Sequence, residues 1–198
     1  MTAAPPLHQL YHFLERNRVR LTTILVLLLI IEDIVEGVRP HDLDSLQDFY
    51  GLLGLTLVLA GVGIRSWAAG VIHKDTELAT QGPYALTRHP LYVGSLLMAI
   101  GFCIIIADDE NIVFVLLMGF ALYFPTIRKE ERELSRRFGE RWQAYTERTG
   151  LLFPKRLPTN IVSAWSFEQW LKNREFRASA HSVLALLILE LIHEFQAF

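Results

Sequence analysis

Between Leu91 and Ile127 the chain runs through two uncharged apolar stretches, Leu91–Ala107 and Ile112–Ile127, parted only by Asp108-Asp109-Glu110-Asn111. Four residues leave room for nothing but a tight reversal, so the stretches are predicted to form an antiparallel helical hairpin. A chain of 198 residues has too little polar sequence to wrap such helices in a water-soluble core, and each stretch approaches the roughly 20 residues that cross a bilayer. Leu52–Ile72 adds a third, 21 residues long with Arg65 as its one charge. Leu21–Val35, interrupted by Glu32 and Asp33, and Ala178–Ile192, carrying His181 and Glu190, are two more candidates. The last also reads as an amphipathic helix lying on the membrane surface. The expected fold class is an all-α integral membrane protein of about five transmembrane helices, with a catalytic region at its cytosolic face.

Composition supports segregation: 52% hydrophobic residues coexist with 20% charged ones at a mean hydropathy of +0.29. Twelve of the 19 lysines and arginines fall between Arg128 and Arg177, and Arg16, Arg18 and Arg20 precede the first candidate span. The first-to-second connection holds Arg39 among Glu36, Asp42, Asp44 and Asp48, and the hairpin tip is acidic. Because cytoplasmic loops are enriched in Lys and Arg, the N-terminus is expected in the cytosol with alternating crossings. Orientation and anionic headgroups account for the basic residues, so the net charge of -2 gives no reason to invoke nucleic acid. Cys103 is the one cysteine, which excludes an intrachain disulfide and a cysteine metal cluster. No convincing His or Cys ligand spacing occurs, and no metal is expected. Residues 22–31 are not read as a cleaved signal, since Glu32-Asp33 and no small-residue site follow.

A single membrane domain is expected over residues 1–198. Residues 1–20 form a cytoplasmic amphipathic lead-in, 51–155 the core, and 156–198 a linker and C-terminal helix. At Arg128 the apolar hairpin is expected to give way to a charged helix over Lys129–Phe138, begun by Glu130-Glu131 and broken or kinked by Gly139, a change of environment within one domain. A short helix, Glu140–Arg148, then places Trp142 and Tyr145 on one face, and Phe153-Pro154 closes the unit.

Chemistry concentrates just before the third stretch, in QGPYALTRHPLYVG from Gln81 to Gly94. Pro90 suits the first turn of the coming helix, whose free N–H groups favour an anion. Arg88 and His89 read either as donors to a ligand or as interfacial anchors, with Tyr84 and Tyr92 in the aromatic belt. Arg65 reads either as a site or ion-pair residue inside the membrane or as a snorkelling side chain about two turns from the cytosolic end. Glu130 and Glu131 sit where the hairpin returns to the cytosol, within reach of Arg65, Arg88 or a ligand ammonium. Gly61-Val62-Gly63 is read as close helix packing.

Three blocks, GIRSWAAG (Gly63–Gly70), GPYALTRHPLYVG (Gly82–Gly94) and Glu130–Pro154 with its Glu-Glu, Phe-Gly, Trp, Tyr and Phe-Pro, resemble the isoprenylcysteine carboxyl methyltransferase family and its phospholipid methyltransferase relatives. The resemblance covers roughly residues 51–155. It implies a cytosolic-face pocket for S-adenosylmethionine, built by Arg88, His89, Pro90, Leu91, Tyr92 and Gly94 with Glu130 and Glu131. His89, Tyr92 and Glu130 or Glu131 would hold the methionine end, and Gln81, Gly82, Pro83 and Tyr84 would enclose the adenosine. A membrane lipid or lipidated substrate would enter from the bilayer. Arg65, Arg148 and Glu131 are the candidate catalytic residues. Arginines near the cytosolic boundary favour a carboxylate acceptor, which needs no general base; an amine or thiol would have to give its proton to His89 or a glutamate. The alternatives are an NADPH-dependent sterol-type reductase, which shares the late block, and a non-catalytic lipid-binding protein.

Overall fold

The computed structural model describes residues 28, 31–32, 35–73, 77–107, 109–158 and 161–196. They form helices α1 (Phe49–Val71), α2 (Pro83–Leu86), α3 (Pro90–Ile106), α4 (Asp109–Phe138), α5 (Glu140–Arg148), α6 (Phe167–Lys172) and α7 (Glu175–Phe195). No strand occurs among the described residues; one isolated parallel bridge joins Thr87 and Gly150.

The hairpin is present: α3 stops at Ile106 and α4 starts at Asp109. Ala107 makes the reversal with φ 65°. Among the described residues, three helices can cross a bilayer by length and composition: α1, the 27 residues Ile112–Phe138 of α4, and α7. Helix α3, 17 residues long, covers about 26 Å, just short of a bilayer core near 30 Å. Among the described residues, the expected spans are represented by three long helices and one short one. The lead-in of residues 1–20 and most of Leu21–Val35 lie outside the described residues. Ala178–Ile192 falls within α7, which is long enough to span. The outer faces of α4 and α7 expose Val113, Leu117, Phe120, Leu184, Leu187 and Leu191, as lipid-facing helices do.

One expectation is corrected. No separate helix begins at Glu130, because α4 runs unbroken for 30 residues from the hairpin tip to Phe138. Pro125 lies inside it, where a missing N–H usually ends or bends a helix. The change at Arg128 is one of environment, since the charged residues that follow are good helix formers. At about 45 Å, α4 outruns the bilayer and carries Glu130 and Glu131 beyond the apolar layer. Gly139, at φ 50°, ends it as expected.

Helices α1 and α3 pack along a seam of paired glycines. A Cβ built on Gly61 would meet the Gly94 carbonyl oxygen at 2.5 Å, and one on Gly101 would meet that of Gly54 at 2.6 Å. The spacing of seven, Gly54 to Gly61 and Gly94 to Gly101, brings the pairs to one stripe on each antiparallel helix. Gly63 has nothing within 4 Å, so only Gly61 of that pair serves packing. Val58, Ile105 and Leu189 fill the core where α7 joins this seam.

At the basic end, α6 and its flanks cap α1. Trp165 Nε1 donates to Ser66 O (3.0 Å), Gln169 Nε2 to Ile72 O (2.7 Å) and Asn173 Nδ2 to Ala69 O (2.8 Å). The Ser166 N–H donates to Gly70 O at 2.9 Å. The Ala69 and Gly70 carbonyls, and that of Ile72 just beyond, have no partner within a helix that stops at Val71, and an unmet carbonyl at a membrane boundary is costly.

Candidate active site

The turn before α3 is fixed by backbone pairing with the segment after α5. Arg88 N donates to Gly150 O (2.9 Å) and His89 N to Leu151 O (3.3 Å), while Thr87 Oγ1 donates to Leu151 O (2.7 Å). The Tyr145 hydroxyl donates to Tyr84 O at 2.7 Å, tying α5 to α2. Gly82, at φ 58°, turns the chain into α2, a conformation that side chains other than glycine's resist.

From this frame Arg88 reaches α4. Its Nε and Nη2 donate to Glu131 Oε1 (2.7 Å) and Oε2 (3.1 Å), and Nη1 donates to Thr149 O (2.8 Å). The guanidinium also lies 5.9 Å from the Trp142 ring centroid, within cation–π range. His89 is buried, with Nε2 3.3 Å from Glu131 Oε1 and Nδ1 3.6 Å from Glu130 Oε2. The Tyr92 hydroxyl donates to Glu130 Oε1 at 2.7 Å, and its ring meets Tyr123 edge-on. Adjacent glutamates of one helix thus engage three residues of one turn.

Burial holds the His89 imidazole below its ordinary value, against the opposing pull of Glu130 and Glu131, and Arg88 adds to the lowering. An unfolded imidazole takes its proton near 6.5, whereas the buried one waits for lower pH. The stability from keeping His89 neutral is therefore complete above about pH 6.5 and is lost as pH falls from there toward the folded value. The thermal midpoint in detergent is expected to drop from pH 7 to pH 5.5 more steeply in the native protein than in His89→Gln. Parallel curves would reject this account. Burial also raises the Tyr84 and Tyr145 phenols, keeping both neutral.

The structure brings Arg88, His89, Tyr92, Glu130 and Glu131 together. Gly82, Pro83 and Tyr84 are buried on the adjoining turn, and Gln81 is exposed beside them. Pro90 is fully buried, Leu91 packs against Ala68, Val71 and Tyr84, and Gly94 faces α1, where a Cβ would meet Gly61 O and Arg65 Cγ. Arg148 is exposed in the last turn of α5. Arg65 belongs to another group, donating from Nε and Nη2 to Glu175 Oε1 and Oε2. Sequence reasoning supplied Glu130 or Glu131 as its possible partner and missed Glu175. A buried arginine demands an anion, but nothing in the linear pattern says that the anion lies 110 residues away. Among the described residues no three His, Cys, Asp or Glu side chains form a metal-ligand group.

Two buried polar atoms beside the site lack partners, the Tyr84 hydroxyl and Ser163 Oγ. Ser163 sits directly against Gly82. Buried polar groups are normally satisfied, and these two remain open to a polar partner.

The phospholipid methyltransferase family matches residues 50–141. A nickel-cobalt-cadmium resistance protein, NccN of Alcaligenes xylosoxydans xylosoxydans, is 34% identical over 148 residues, covering 72% of this chain and 67% of that protein. A cobalt-zinc-cadmium resistance protein, CzcN of Cupriavidus metallidurans, is 38% identical over 119 residues, 59% of this chain and 53% of that one. The protein-S-isoprenylcysteine O-methyltransferase of Schizosaccharomyces pombe is 29% identical over 92 residues, 46% of this chain and 39% of that one. No solved structure matches. The similarity spans α1, the Arg88-His89 turn, α3 and the two glutamates of α4, so the chain belongs to one family with the nickel-cobalt-cadmium resistance protein NccN, and its residues 50–141 match the phospholipid methyltransferases.

Proposed function

We propose that the protein transfers a methyl group from S-adenosylmethionine to a carboxylate of a prenylated or otherwise lipid-like acceptor, at the cytosolic face of the membrane. One observation carries the reading: two carboxylates of α4 converge on the Arg88-His89-Pro90 turn where α4 leaves the apolar layer. Glu130, its side chain 42% exposed and oriented by the Tyr92 hydroxyl, is placed to receive the cofactor's ammonium. Glu131 is committed to Arg88 and shapes the turn. The Tyr84 hydroxyl and Ser163 Oγ, both lacking partners, are the polar groups proposed to meet the adenosine. These residues fit the group, which when bound supplies an electrophilic methyl on a sulfonium.

The chain's own work is then to position the reactants and exclude water. A carboxylate acceptor arrives ionised and needs no base, in keeping with a neutral, buried His89. Arg148, the exposed guanidinium beside Thr149, is proposed to orient that carboxylate.

Calorimetric titration in detergent is expected to show binding of S-adenosylmethionine and none of NADPH, with affinity falling about tenfold in Glu130→Gln, the size of one charged hydrogen bond. Binding of NADPH alone would replace this reading with the reductase. Label carried from the cofactor into a membrane extract is expected to be released as methanol by mild base, as an ester is. Base-stable label would transfer the acceptor to an amine. The metal-resistance names of two relatives direct the search, and extracts from cells grown with and without nickel, cobalt or cadmium are the ones to compare.

A further inference from the structure

Helix α1 carries a cation that the proposed reaction leaves unused. Arg65 Nε and Nη2 donate to Glu175 Oε1 (2.7 Å) and Oε2 (2.9 Å), and Nη1 donates to Ser95 Oγ (2.6 Å) and Leu91 O (3.3 Å). Ser95 Oγ in turn donates to Leu91 O at 2.9 Å. Glu175 is 5% exposed and opens α7, outside the residues that the family matches. Leu91 stands between His89 and Tyr92, so the first turn of α3 is held from two sides: α4 grips its side chains, and Arg65 grips its backbone.

The pair is not needed to dock α7. Asn173 fastens its start to Ala69 O and Ile72 O. At the far end Leu43 N donates to Glu190 Oε2 (3.1 Å), and His193 Nδ1 lies 2.7 Å from Pro40 O. Burying an ion pair costs several kcal/mol in desolvation, and apolar residues of similar volume often replace one without loss. What this pair does that no apolar contact does is aim three guanidinium nitrogens, two at Glu175 and the third at α3.

We infer that Glu175 is a positioning residue: by fixing the Arg65 fork on Ser95 and the Leu91 carbonyl, it sets the first turn of α3 and hence the placement of His89 and Tyr92 toward the glutamates of α4. The inference rests on the proposed function for its kinetic consequence only. Removing the carboxylate leaves an uncompensated cation beside Tyr84 and frees Arg65 to seek Glu130 or Glu131 in competition with Arg88.

The test uses the full chain in detergent. Ser95→Ala keeps the ion pair and removes the shorter of its two links to α3, leaving Leu91 O at 3.3 Å; Arg65→Met with Glu175→Met removes the pair and keeps the volume. Both are expected to fold. KM for S-adenosylmethionine should rise roughly tenfold in the double variant, the size of one charged hydrogen bond, and two- to threefold or about 0.5 kcal/mol in Ser95→Ala. A fluorotyrosine signal assigned to Tyr92, read by fluorine NMR without cofactor, should shift in both. A double variant that melts like the native protein, with unchanged KM and unchanged Tyr92 signal, would overturn the proposal and reduce the pair to a staple. Should the double variant not fold, Ser95→Ala decides alone, because a staple predicts no change there. If the native protein binds no S-adenosylmethionine while the Tyr92 signal still shifts, the cofactor reading falls and the positioning role stands.

Discussion

Arg88→Lys is expected to lower methyl transfer at least about 100-fold, the cost of misplacing reacting groups by about 1 Å, in a protein that still folds. Lysine keeps the charge but not the fork. Arg88 spends three nitrogens on two elements, gripping both Glu131 oxygens and the Thr149 carbonyl from beside the Trp142 ring. An ammonium replaces that planar, bidentate geometry with a point charge on a flexible stem. With Glu131 released, α4 and the turn before α3 lose their common reference, and His89 and Tyr92 no longer meet a fixed pair of carboxylates. Initial rates with labelled cofactor, read beside thermal midpoints, check this. A variant within threefold of the native rate would remove Arg88 from the machinery. Glu131→Gln should behave similarly and melt earlier, because it leaves a largely buried cation without its anion at a cost on the order of 3 kcal/mol.

Gly94→Val is expected to destroy the folded state rather than tune it. A Cβ at Gly94 would lie 2.6 Å from both the Gly61 carbonyl oxygen and Arg65 Cγ, and one of those contacts is backbone that has nowhere to go. The helices must part along the seam that carries most of their packing. Overpacking of this kind costs about 1–3 kcal/mol even when neighbours relax, and a branched side chain against two helix backbones falls at or above the upper end. The same displacement shifts the start of α3, so any protein that survives should be inactive. Gly63→Ala supplies the control on the neighbouring helix. With nothing within 4 Å, it is expected to leave the midpoint unchanged or raise it, by up to about 1 kcal/mol of helix propensity. Equal midpoints for the two variants would refute the seam.

What the sequence disclosed follows from how local each cause is. The hairpin was legible because four polar residues between two apolar runs admit one geometry, and α3 and α4 reverse there. The Arg88-His89-Pro90 turn and the paired glutamates were legible because proline fixes the helix start and the family pattern covers both. The continuity of α4 was not, since a sharp change in composition at Arg128 imitates a boundary although Lys, Glu and Arg favour the helix they continue. Glu175 was hidden for the opposite reason. Its role depends on α7 returning to α1, and no spacing rule connects residues so far apart. Arg65 reads from sequence as a site or ion-pair residue inside the membrane, and Glu175 is the carboxylate it pairs with.

The cap on α1 has a consequence for biogenesis. The donors that close its last carbonyls come from Ser166, Gln169 and Asn173, between 96 and 104 positions downstream. While the nascent chain is being made, that end of the helix has only water to satisfy it, so it must stay at the aqueous border until residue 173 has left the ribosome. Insertion of the spans and completion of the enzyme are therefore separate events in time, and a truncated product released between them is a membrane protein with an unfinished rim.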